Sequence, residues 1–134
     1  MSENLDLVRS IFADWERGDY FRSAEWAHPE IEFVRPEGPD PGRWRGLDGM
    51  AQGWRSQLSV WENWRVEVDE YRELDDERVL VLTRQTGRGK TSGLEVEQMQ
   101  PTTAGLFHIS EGKVTKLVAY WDRDHALTDL GLKE

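Results

Sequence analysis

The chain has 134 residues, with 26 acidic and 17 basic side chains and a formal net charge of −9. That length predicts one domain over residues 1–134, long enough to close a core without staples. The absence of cysteine excludes a disulfide framework, thiolate zinc sites and cysteine nucleophiles. The acidic balance argues against nucleic acid as a partner, because phosphate-backbone affinity rests on Lys and Arg.

The apolar content is concentrated in large flat side chains. Seven tryptophans, at 15, 26, 44, 54, 61, 64 and 121, stand in a chain whose hydrophobic fraction is only 37%. Such residues dominate cores and interfaces, and each indole N–H needs a partner when buried. The composition therefore predicts either an aromatic-rich core or a site for something flat.

Leu5, Val8, Phe12 and Trp15 recur at helical spacing with Ile11 beside them, which predicts an amphipathic helix over Ser2 to Arg17, capped by Ser2 or Asn4 and ended by Gly18. Asp19 can cap a second short helix over Tyr20 to Ala27, stopped by Pro29. A strand is expected over Ile31 to Arg35. The stretch Arg35 to Arg45, with Pro36, Pro39, Pro41, Gly38 and Gly42, reads as a long loop. Leu47, Met50, Ala51, Trp54, Leu58 and Trp61 then share one helical stripe.

From Trp64 the period changes to two, with Val66 and Val68 alternating with charges and a turn over Leu74 to Glu77. The VLVL run within Arg78 to Thr86 predicts a strand buried on both faces. Residues 86–93, TGRGKTSG, read as a Gly-rich turn. Leu94 to Ile109 reads as a long strand or strand pair with a bulge at Pro101 or Gly105. Glu111 and Gly112 make a hairpin turn into a last strand, Lys113 to Trp121, and a short helix closes the chain over His125 to Leu130. Helices followed by a run of antiparallel strands predict an α+β fold, with helices packed on a curved sheet.

Neither a membrane span of about 18 apolar residues nor a basic-then-apolar secretory leader is present, since the chain opens MSENLDL. A cytoplasmic protein without membrane contact is the expectation. Gly89-Lys90-Thr91 ends like a phosphate-binding loop, but Arg84 occupies the place of its first glycine, so ATP and NAD are not expected. The three histidines, His28, His108 and His125, have no metal-ligand spacing, and no metal or other cofactor is expected.

The segments GDYFRSAEWAHPEIEF (18–33), GLDGMAQGW (46–54), VLVLTRQTGRGKTSGLEVEQ (79–98) and EGKVTKLVAYWDRDHALTDLGL (111–132) together resemble the SnoaL-like branch of the nuclear transport factor 2-like superfamily. That superfamily also holds ketosteroid isomerases, limonene epoxide hydrolases and scytalone dehydratases. The resemblance covers essentially the whole chain. It implies a cone-shaped α+β barrel, about three N-terminal helices on a strongly bent sheet, a deep apolar cavity and a homodimer joined through the sheet. It also implies a base at Asp122, in the Trp-Asp-x-x-Asp context used by SnoaL-type polyketide cyclases, here Trp121, Asp122 and Asp124. Phe33 and Val34 stand near where the ketosteroid isomerase base belongs, which disfavours that reaction.

Strand alternation puts Asp122 on the face of Val118 and Tyr120, where burial would raise its pKa; equally, Asp122 can cap the closing helix. The expected catalytic set is Asp122 with His108 and Tyr120. The expected ligand-binding set is Trp15, Trp26, Phe33, Trp44, Met50, Trp54, Arg84 and Gln98, of which Arg84 and Gln98, with His108, interrupt strands. The expected partner is a small apolar or aromatic molecule, turned over by cofactor-free acid–base chemistry or bound without reaction.

Overall fold

The computed structural model describes residues 3–20, 25–37, 41–89 and 102–132, with the backbone alone at 60, 88 and 89. In chain order the described elements are α1 (Glu3–Glu16), β1 (Ala27–Arg35), β2 (Gly42–Arg45), α2 (Gly46–Val60), β3 (Trp61–Glu73), β4 (Arg78–Gly89), β5 (Thr103–Ser110), β6 (Lys113–Tyr120) and α3 (Arg123–Asp129). The strands form one sheet in the order β2-β1-β6-β5-β4-β3. Only β1 and β6 run parallel; every other neighbouring pair is antiparallel. The sheet is curled but not closed, and three helices pack on it: the α+β cone expected from the sequence, with the third described helix at the C-terminal end. None of the described helices is long and apolar enough to cross a membrane.

The helix α1 forms where its apolar stripe predicts, burying Val8, Ile11, Phe12 and Trp15 against β3 and β4. Gly18, at φ +82°, ends it, its N–H donating to the Trp15 carbonyl at 2.9 Å; glycine adopts this left-handed geometry without the Cβ penalty. The second glycine with a clear task is Gly112, φ +78°, which with Glu111, φ 52°, forms the two-residue turn between β5 and β6. Positive φ at both positions is what a tight hairpin of right-handed twist requires.

Several boundaries differ from those read in the sequence. The second helix was expected to reach Ala27, but β1 begins there, tied by the Val114 N–H to the Trp26 carbonyl at 2.9 Å and by Ala27 opposite Val114; residues 21–24 lie outside the described residues. The expected loop Arg35 to Arg45 contains β2. Phe33 pairs with Trp44 across the ladder, their rings 5.6 Å apart, and Arg43 reaches Glu32 at 3.1 Å, so cross-strand contacts override the Pro/Gly composition. The expected glycine turn starts too early, because Thr86 to Gly89 continue β4, opposite Arg65, Glu62 and Trp61. Trp61 opens β3 instead of ending the helix. Residues 94–101, and with them Gln98, lie outside the described residues.

β3 carries a bulge between Glu62 and Arg65, where Asn63 takes φ 53°. The inserted residue turns Trp61 and Trp64, three apart, to the same interior. Two clusters result. Under α1 and α2 lie the aromatic residues with Ile31, Met50, Val79, Val81, Ile109 and Leu117. On the other face, Leu80, Leu82, Leu106 and Val118 meet Ala126 and Leu127 of α3.

Gly53 shows how tightly α2 is seated. A Cβ there would come 2.8 Å from Phe33 Cδ2 and 3.1 Å from Trp44 Cδ2. Both atoms belong to rings that are themselves packed. Gly53→Ala gains roughly 1 kcal/mol of helix propensity and loses about 1–3 kcal/mol to overpacking. We expect a net loss of stability, read as a lower urea midpoint with an unchanged m-value; an unchanged or raised midpoint would contradict this packing.

Candidate functional site

Between α1, α2 and the concave face of the sheet lies a cavity of about 70 Å³, several times the space one water needs. Phe12 and Trp15 of α1, Trp54 of α2, and Phe33, Trp64 and Phe107 of the sheet give it aromatic walls. Val66, Leu117, Ala119 and Trp121 continue the apolar surface, and Trp121 stacks on Trp61 at 6.2 Å with 10° between the planes.

Alternation explains which strand residues reach the cavity. On β4, Thr83 and Gln85 share the face of Val79 and Val81 and line it, whereas Arg84 projects from the other face. The expected binding residue Arg84 is therefore misplaced. It is exposed and pairs with Asp69 at 3.0 Å and with Glu67 at 3.9 Å. On β5, Phe107 faces inward and His108 outward. His108 does not line the cavity; burial, then Lys116 and Arg78, push its pKa down. On β1, Arg35 stands two residues beyond Phe33 and faces the same way.

Of the other expected residues, Trp15, Phe33, Trp54 and Tyr120 line the cavity. Trp26 and Met50 are buried in the core behind it, Trp26 with its ring 6.2 Å from that of Trp15. Trp44 covers Phe33 from outside. Asp122 is the N-cap of α3. Its Oδ1 accepts the Asp124 N–H at 3.0 Å, and the residue is not part of the lining. Of the two roles the sequence allowed, the geometry assigns the cap.

The polar lining is mostly committed to protein partners. Thr83 and Thr103 share a hydrogen bond of 2.7 Å, and Gln85 Oε1 accepts from Trp64 Nε1 at 3.1 Å. Tyr120 donates to Asp129 Oδ2 at 3.3 Å, and burial, then Asp129, raise its pKa. Arg35 is only 8% exposed. Its Nη2 donates to the Gly53 carbonyl at 3.1 Å, and its guanidinium lies 4.4 Å from the Trp44 ring centre and 5.3 Å from that of Phe33. Gln57, one helical turn beyond Gly53 and equally buried, makes no side-chain hydrogen bond among the described residues. Trp54 Nε1 is likewise without a partner among them.

Glu37, the carboxylate on the described lining, is held by His125 Nδ1. The other ring nitrogen, Nε2, lies 3.4 Å from Asp129 Oδ2, and the His125 ring meets the Tyr120 ring edge-on at 5.4 Å. The sequence pointed to His125 but not to Glu37, which follows a proline in the expected loop. Among the described residues no group of His, Asp and Glu is arranged to hold a metal ion.

Chiefly through its hydrogen bond to Glu37, His125 has its pKa raised above the usual value of 6.5. A raised folded-state value stabilises the fold fully below about pH 6.5 and ceases to do so as pH rises through it. His125→Gln is therefore expected to lower the melting temperature near pH 6 more than near pH 9. Equal losses at both pH values would show that the imidazolium ties nothing.

Residues 8–117, the greater part of the chain, match the family model of the SnoaL-like domain. No protein with a curated description matches the chain. Similar solved structures include a nuclear transport factor 2-like protein of unknown function from Burkholderia pseudomallei, 19% identical, with 96% of this chain and 97% of that one covered and a TM-score of 0.77. TerC, co-crystallised with polyporic acid, is 21% identical over 96% of this chain and 98% of its own, with a TM-score of 0.72. A nuclear transport factor 2-like protein from Burkholderia xenovorans is 26% identical over 88% of each chain, with a TM-score of 0.69. The curled sheet, the aromatic interior beneath two helices and the match over residues 8–117 agree, and the chain belongs to the SnoaL-like domain family.

Proposed function

We infer that the protein binds a small flat aromatic compound inside the cone. The observation that carries this is the lining itself: six aromatic rings surround the space, and on their boundary sits a buried amide, Gln57, that makes no hydrogen bond among the described residues. Apolar walls with a few convergent polar groups are the usual composition of a small-molecule site. A buried polar group without a partner is a cost that a ligand can relieve. TerC, of similar fold, was crystallised with an organic acid, and a cavity serving such a ligand is the use supported here.

Binding is favoured over proton abstraction by the state of the titratable groups. Asp122 is spent on capping α3, and Glu37 is paired with His125. A carboxylate held by an imidazolium is a weakened base.

The test is calorimetric titration with 2-naphthol. Wild type is expected to bind saturably, and Ala119→Phe, which fills the cavity from β6, to bind at least about tenfold more weakly while keeping its circular dichroism spectrum. Absence of binding by wild type, or equal binding by the filled variant, would remove the reading.

A further inference from the structure

Within that binding reading, the hydrogen-bonding groups at the α2 end of the cavity narrow the class of ligand. Four polar groups of the lining already face protein partners: Thr83 meets Thr103, Gln85 meets Trp64, Tyr120 meets Asp129 and Glu37 meets His125. The carboxylate charge on the lining is thus balanced locally. The positive charge on the lining is Arg35, and it is placed differently. Its recorded partners on this side are a neutral carbonyl, Gly53, and the faces of two rings, Phe33 and Trp44.

Those partners also orient it. The 3.1 Å bond to Gly53 fixes the guanidinium against α2, because a helical carbonyl at that position already serves the helix and offers its second lone pair. The Phe33 and Trp44 faces hold its plane, a geometry that arginine uses and lysine does not. Gln57 projects from α2 one turn on. Trp54, between them in sequence, carries an indole N–H without a partner among the described residues. An indole N–H and a guanidinium are donors only, and the amide supplies two more N–H groups. This end of the cavity is rich in donors and carries a buried positive charge, while the rest is aromatic.

We propose that the ligand is an aromatic anion: a flat ring system carrying a carboxylate or an ionised phenol or enol, its rings among Trp15, Trp54 and Phe107 and its charged oxygen at Arg35 and Gln57. An oxygen anion meets guanidinium and amide donors in charge-assisted hydrogen bonds, roughly twice as strong as neutral ones. A cationic ligand would place like charge beside Arg35 in a poorly solvated space. A neutral hydrocarbon would leave the Gln57 amide unsatisfied.

Three isosteric probes separate these cases by calorimetry at neutral pH: 2-naphthoate, 2-naphthamide and 2-(aminomethyl)naphthalene. Wild type is expected to bind naphthoate at least about tenfold more tightly than naphthamide, and the amine most weakly. Arg35→Lys keeps the charge but loses the planar fork; it is expected to weaken naphthoate about tenfold and to change naphthamide by less than about threefold. Because Arg35 is buried, Gln57→Leu serves as a second variant that leaves the Arg35–Gly53 bond in place, and it is expected to weaken naphthoate. Equal affinity for naphthoate and naphthamide, preference for the amine, or naphthoate binding untouched in both variants would overturn the proposal while leaving the cavity a binding site. Failure of wild type to bind any of the three would overturn the binding reading and this proposal together.

Discussion

Trp54 stands against four aromatic rings: Trp15 and Tyr20 at 5.0 Å, Trp64 at 5.6 Å and Phe33 at 6.2 Å. These rings come from α1, from the segment after it, from β3 and from β1, so one side chain of α2 joins both helices to both halves of the sheet. The contacts are mixed. Tyr20 and Phe33 stack on the indole, while Trp15 and Trp64 present an edge to it, arrangements that each contribute about 0.5–1.5 kcal/mol beyond area burial. A chain with only 37% hydrophobic residues can hold a cone this way because each large ring spans two elements. The same economy leaves a cavity. Rigid flat side chains meeting at steep angles cannot fill the space they enclose as branched aliphatics do.

Much of the fold was legible because its signals are local and periodic. The stripes of α1 and α2, the VLVL run of β4 and the Glu111-Gly112 hairpin each depend on residues close in sequence. What escaped depends on distant partners. β2 exists because Trp44 and Arg43 find Phe33 and Glu32 on β1, and no composition rule applied to a stretch holding three prolines and two glycines reveals that. Thr86 to Gly89 look like a turn until the bulged β3 lies beside them. Trp61 fits the helical stripe by spacing but is taken by the sheet, because the bulge at Asn63 lets it and Trp64 share one interior.

The site divides along the same line. Trp15, Phe33 and Trp54 sit on stripes that could be read, and they line the cavity. Arg35, Gln57 and Gln85 were readable by the same arithmetic: Arg35 two beyond Phe33, Gln57 three beyond Trp54, Gln85 four beyond Val81. They were passed over because a polar residue at a core position reads as a strand end or a helix flank unless a cavity is already supposed. Arg84 illustrates the converse error. It interrupts an apolar run, but it does so on the face of Leu80 and Leu82, one residue out of step with the cavity. Asp122 was legible in both of its possible roles. Only the Asp124 N–H at 3.0 Å separates them.

An anionic ligand for a chain of net charge −9 raises the question of how it would arrive. The excess negative charge lies on exposed side chains, and at physiological ionic strength charges farther than about 8 Å from the approaching molecule are largely screened. The repulsion therefore slows encounter more than it weakens the complex. Arg35 acts under opposite conditions. It is 8% exposed, walled by rings and reached only after the ligand has shed its water, so its field is neither screened by salt nor diluted by solvent. Glu37 at the same lining would cancel that field if it stood alone. His125 prevents this, and the protonation of His125 is sustained by Glu37 and Asp129 together. The surface and the cavity thus carry opposite signs for separate reasons, one set by solubility and the other by what the cavity must hold.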